Sequence, residues 1–98
     1  FCDLITVYLD DSPKSLRQLA KAVDRGTVPE LIGPSHSLKS TSANLGALRL
    51  SELCKSLEHD ARQGSAPKAA ERVGRIVQLY KKVAVELKKI RQEYKAAS

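Results

Sequence analysis

Between Val73 and Tyr94 the chain repeats apolar residues at helical spacing without a break: Val73, Ile76, Val77, Tyr80, Val83, Ala84, Leu87, Ile90 and Tyr94. At 3.6 residues per turn they fall on one stripe of about six turns. A helix with a single apolar stripe cannot bury it alone, so the rest of the chain must supply partners. Leu16, Leu19, Ala20 and Val23 make a second stripe, ended at Gly26. Leu50, Leu53, Cys54, Leu57 and Ala61 make another in the i, i+3, i+4, i+7 pattern, closed by Gly64. Sustained alternation of period two is absent, and one Phe, three Tyr and no Trp leave little for a β-sandwich. The expected fold is all-α: one domain over residues 1–98, an up-and-down antiparallel four-helix bundle with tight connections.

Three places complicate the pattern. Leu4 to Leu9 reads as a short leading helix, with Leu4, Ile5 and Tyr8 on one side. "DDSP" then reads as a break: Ser12 can cap, Pro13 suits a first helical position, and Asp10 and Asp11 suit a helix N-terminus. In "SAPK", Ser65 is the expected N-cap of the last helix. The third place is Gly33-Pro34-Ser35. Pro34 cannot donate to the carbonyl of Glu30, so a helix running through it must kink, at about 3 kcal/mol or more. The other reading, adopted here, starts the helix at Pro34 and puts His36 in its first turn.

Composition excludes several function classes. No apolar run approaches the roughly 20 residues of a membrane span, and no signal-peptide pattern stands at the start. The opening "FCDLITVYL", without Met, reads as the start of a segment cut from a longer protein. Cys2 and Cys54 are too few for a disulfide framework, so both are expected as reduced thiols, Cys54 as a small core residue. There is no Gly-rich phosphate loop and no G-x-S-x-G, and His59 stands at a solvated position without metal-ligand spacing to Cys54. The net charge of +6 is uneven: Lys68 to Lys95 holds nine Lys/Arg against three Asp/Glu, and the remainder balances to zero. A lysine-rich outer face is the ordinary reading. The competing one is a basic bundle that binds nucleic acid or an anionic surface through its last helix, by way of Lys81, Lys82, Lys88 and Lys89.

The remaining candidate chemistry lies in "PSHSLKSTSANLGA". His36, Lys39 and Ser40 are three and four apart and share one helical surface, while Leu38, Ser42 and Leu45 turn towards the core. Small residues surround the histidine: Ser37, Ser40 and Ala43. An ordinary exposed imidazole titrates near 6.5, so about three quarters is neutral at pH 7 and one ring nitrogen is a nucleophile. A phosphoryl group placed there would be dianionic, and a lysine one turn away would offset part of its charge.

"HSLKSTSANLGALRLSELCKSLEHDAR" resembles the core of histidine-containing phosphotransfer (HPt) domains. The motif H-x-L-K-[GS]-x-[SA]-x-x-x-G is met by His36, Leu38, Lys39, Ser40, Ser42 and Gly46. An L-x-x-x-C-x-x-L-E stretch follows, met by Leu50, Cys54, Leu57 and Glu58. "YLDDSPKSLRQLAKAVDRG" is similar to the family's first two helices, so the likeness covers about the whole chain. Gly33-Pro34-Ser35 departs from it, since family members usually run a regular helical turn into the histidine.

The resemblance implies a phosphorelay module of two-component signalling. His36 would take a phosphoryl group from a receiver-domain aspartate and pass it to another receiver, Lys39 would offset its charge, and Ser37, Ser40 and Ala43 would admit the partner. Gly46 would serve helix packing. No catalytic machinery or cofactor of its own is implied, since Mg²⁺ comes with the receiver. The expected setting is cytoplasmic, as the C-terminal module of a hybrid sensor kinase in the inner membrane or as a free-standing protein. The expected form is a monomer, with a receiver domain as partner and no specific nucleic-acid or membrane contact.

Overall fold

The computed structural model describes residues 1–97 and shows four α-helices, with no strand among those residues. In chain order they are α1 (Cys2–Arg25), α2 (Ile32–Asn44), α3 (Leu48–Arg62) and α4 (Ala69–Ala97), with a 3-10 turn at Val28–Leu31. Each helix lies against its neighbour in sequence, and α4 returns to α1. The expected four-helix bundle is therefore present. Its core draws on every helix, with Ile5 and Leu19 from α1, Leu38 from α2, Leu50 and Leu57 from α3 and Ile76 from α4 all sealed from solvent. No described helix is long and apolar enough to cross a membrane.

The short leading helix does not exist as a separate element. It is the first part of α1, which runs 24 residues with Pro13 inside it. Proline at that point removes the N–H that would reach the carbonyl of Leu9 and crowds it, a cost of about 3 kcal/mol in an ordinary interior. Burial on both sides of Pro13 outweighs that cost. Ile5, Tyr8, Ser12, Leu19 and Ala22 are all buried along one continuous stripe, so breaking the helix would expose one half of it. Ser12 thus caps nothing but is buried against the core, and Asp10 and Asp11 lie exposed in mid-helix.

Both sequence readings of Pro34 give way to a third arrangement. The chain leaves α1 through Gly26 in the left-handed conformation (φ 66), takes the 3-10 turn, and starts α2 at Ile32. Pro34 falls in the first helical turn, where its missing N–H has no intrahelical acceptor to lose, so neither kink nor late start is needed. Ser35, fully buried, donates its hydroxyl to the carbonyls of Leu31 and Ile32 and seals this turn. His36 consequently stands at the opening of the second turn of α2.

Two further expectations need correction. Gly46 has φ 79, and a Cβ built there would meet nothing within 4 Å. Its role is the left-handed turn that ends α2, with its N–H on Ala43 O, and not close packing. Ser65 is not the N-cap of α4, which begins at Ala69 behind Lys68, a non-glycine residue at φ 57. Pro67 and Lys68 turn the chain there, and the Lys68 carbonyl accepts from Arg72 N–H.

The helices are unequal: α1 and α4 have 24 and 29 residues against 13 and 15 in α2 and α3. The molecule is accordingly elongated, 48 × 19 × 17 Å. At one end the start of α1 and the finish of α4 pair with each other: Arg91 Nη1 donates to Thr6 Oγ1 at 3.1 Å, and the Phe1 and Tyr94 rings sit 5.6 Å apart.

Candidate functional site

Leu38 and Ser42 anchor one face of α2 in the core, which turns His36, Ser40 and Ala43 outward along the opposite face. His36, Ser37, Ser40 and Ala43 are all exposed, and Lys39 is half-buried beside them. A second tie fixes α2 against α3: Ser51 Oγ donates to the Lys39 carbonyl at 2.8 Å.

What the sequence reading did not place is the carboxylate beneath the histidine. Glu58 of α3 has a side chain only 6% exposed, and its Oε2 lies 3.0 Å from His36 Nδ1. It is the one charged residue in the buried set among the described residues. Arg62, one turn further along α3, donates to the same Oε2 from Nε at 2.9 Å and from Nη2 at 2.7 Å. Lys39 Nζ stands 2.6 Å from the other oxygen, Oε1. One buried carboxylate therefore holds the imidazole and two cations.

Burial alone would push the Glu58 carboxyl up. The hydrogen bonds and charges of Lys39, Arg62 and His36 outweigh it and hold the group down at about 2. Glu58 is therefore ionised throughout the neutral range and can only accept. With an ionised acceptor on Nδ1, the neutral ring of His36 carries its proton there, and Nε2 keeps its lone pair. Nε2 has no hydrogen-bond partner among the described residues.

The structure brings His36, Lys39, Ser37, Ser40 and Ala43 together, as the spacing implied, and adds Glu58 and Arg62. A signal for Glu58 was present: it sits four residues past Cys54 and three before Ala61, both core residues of α3. A carboxylate inside an apolar stripe is almost never buried without a partner.

Cys54 is fully buried, with its thiol pushed up to about 12 by that burial, and behaves as a small core residue. His59 is exposed, as expected. Lys81, Lys82, Lys88 and Lys89 are exposed on α4, a helix that does not pack on α2. Among the described residues no group of three or more His, Cys, Asp or Glu could hold a metal ion.

Comparison with known proteins agrees with this geometry. A search of curated proteins finds no match. Among solved structures the chain is similar to histidine-containing phosphotransfer protein B (HptB) from Pseudomonas aeruginosa PAO1, at 32% identity and a TM-score of 0.89. That likeness covers 95% of this chain and 81% of the other. The Hpt domain family matches residues 3–96, which is nearly the full length. An exposed histidine on α2 of a helical bundle, a fold shared with HptB and a family match over almost every residue make this chain a member of the Hpt domain family.

Proposed function

We propose that His36 carries the histidine phosphotransfer role of this family, as the intermediate of a phosphorelay between receiver domains. The observation that supports this most is the pairing of His36 Nδ1 with ionised Glu58, which leaves Nε2 unpartnered on an exposed face. The Nε2 lone pair attacks the phosphorus of a receiver aspartyl phosphate. An Nε2–P bond forms, the acyl P–O bond breaks, and the aspartate carboxylate leaves with the electron pair. The ring keeps its Nδ1 proton and becomes positively charged, and Glu58 at 3.0 Å stabilises that charge as it develops. Passing the group on is the reverse step with a second receiver aspartate.

Lys39 stands on the same face and offsets the dianionic phosphoryl group. Ser37, Ser40 and Ala43, small and exposed, let the partner approach the ring. Divalent metal comes with the receiver in this reading. The groups around His36 are one carboxylate shared by two cations and an imidazole, a set that repels a dication.

The test is incubation with phosphorylated receiver domains from the source organism. Wild type acquires acid-labile, base-stable label, and His36→Gln acquires none. Failure of every receiver to label the wild type would overturn the reading.

A further inference from the structure

We propose that Arg62 is the positioning residue that keeps Glu58, and through it the His36 ring, in place once Lys39 leaves for the phosphoryl group. This rests on His36 being the phosphoacceptor. The unphosphorylated site has one cation more than its carboxylate needs, and the two cations are bound differently. Arg62 sends two directed N–H groups to Oε2, the oxygen that also receives His36 Nδ1. Lys39 meets the other oxygen, Oε1, with a single ammonium at 2.6 Å. A lysine ammonium is a mobile point charge on a flexible stem, while the arginine fork is fixed in plane. Lys39, on the same helix face as the ring, is the cation placed to swing to the phosphoryl group, and Arg62 is the one held to Oε2 by two hydrogen bonds.

The consequence appears when a phosphoryl group arrives on Nε2. Two negative charges then compete with Oε1 for the Lys39 ammonium, and the lysine swings over. Without Arg62 that exchange would leave the nearly buried carboxylate with the phosphorylated ring as its sole cationic partner, on one oxygen, which a low-dielectric setting opposes. The single lysine would have to serve Glu58 and the phosphoryl group at once. With Arg62 in place, Oε2 stays compensated and the Nδ1 proton keeps its acceptor. The exposed half of the Arg62 side chain needs no other partner for this role.

The test uses phosphoramidate, a small phosphodonor that needs no receiver. Arg62→Gln slows the labelling of His36 about tenfold, a coupling in the usual range for one ion-pair network. Arg62→Lys, which keeps the charge but not the planar fork, recovers only part of that rate. In the unphosphorylated state Arg62→Gln melts within a few degrees of wild type, because Lys39 still covers Glu58. The double variant Glu58→Gln with Arg62→Gln labels no more slowly than Glu58→Gln alone, since Arg62 acts only through the carboxylate. Equal rates for Arg62→Gln and wild type overturn the proposal, as do losses that add in the double variant. Absence of label on wild-type His36 takes down the phosphoacceptor reading, and this inference with it.

Discussion

Two polar clusters touch α2 on opposite faces, and they are built in opposite ways. On the inner face the hydroxyls of Tyr8 and Ser42 meet at 2.8 Å, both sealed, with the Tyr80 ring 5.8 Å from that of Tyr8. On the outer face Glu58 holds His36, Lys39 and Arg62, with the carboxylate covered and the imidazole open. The inner pair is neutral and complete within the fold. The outer cluster carries two cations for one carboxylate and an unused ring nitrogen, so it is finished only when something anionic arrives. Completeness marks the cluster that supports structure, and a surplus of unspent charge marks the one that supports chemistry.

The sharpest way to break that contrast is Glu58→Gln. Labelling of His36 is expected to fall by about tenfold to a hundredfold, because the neutral amide neither fixes Nδ1–H as firmly nor offsets the charge on the ring. The same substitution alters acid stability. The Glu58 carboxyl is held at about 2 in the fold, below its ordinary value of 4.5, so it contributes stability above 4.5 that is lost as pH falls towards 2. Acid melts of Glu58→Gln should therefore lose less stability across that window than wild type. A parallel fall in both proteins would show that the cluster contributes no linkage.

Next in size is the inner pair. Tyr8→Phe strands the buried Ser42 hydroxyl and should cost about 1–2 kcal/mol in denaturant melts, while adding Ser42→Ala should recover part of that loss. Labelling of His36 should not change in either variant. A rate effect matching that of Glu58→Gln would erase the distinction between the two faces.

The smallest effect lies outside both clusters. Lys68 adopts φ 57, where a side chain crowds its own backbone, so Lys68→Gly should stabilise by about 1 kcal/mol and leave labelling alone. A loss of stability would mean that the Lys68 side chain contributes more than its conformation costs.

The sequence showed most clearly what depends on residues close together in the chain. The stripes of α3 and α4, the end of α1 at Gly26, and the outward face shared by His36, Ser40 and Ala43 were all legible from spacing. Local signals misled where tertiary burial opposed them. "DDSP" carries every mark of a helix start, yet Ile5, Tyr8, Ser12, Leu16 and Leu19 keep one stripe across it, and that burial decided. The stripe was readable had it been followed through Pro13. Pro34 misled in the other direction, because a 3-10 turn supplies an entrance that apolar periodicity does not register. Glu58 and Arg62 escaped for another reason. The Glu58 contact with His36 spans 22 residues and two helices, beyond any spacing rule within one helix, and Arg62, four residues past Glu58, joins the site only through it. Gly46 was noticed, but only its φ distinguishes a turn from a close approach.

The unequal helix lengths give the molecule a handle and a head. His36 and Glu58 lie level with the beginning of α4, where Arg72 reaches Asp60 and Ser56 on α3. From Arg72 to Ala97 the helix runs on for about 37 Å at 1.5 Å per residue, and the start of α1 travels back along the same end. Phe1 and Ala97 therefore lie far from the imidazole. A fluorophore or a surface linkage at Phe1 or Ala97 would hold the protein by its handle, with the exposed imidazole turned towards solution.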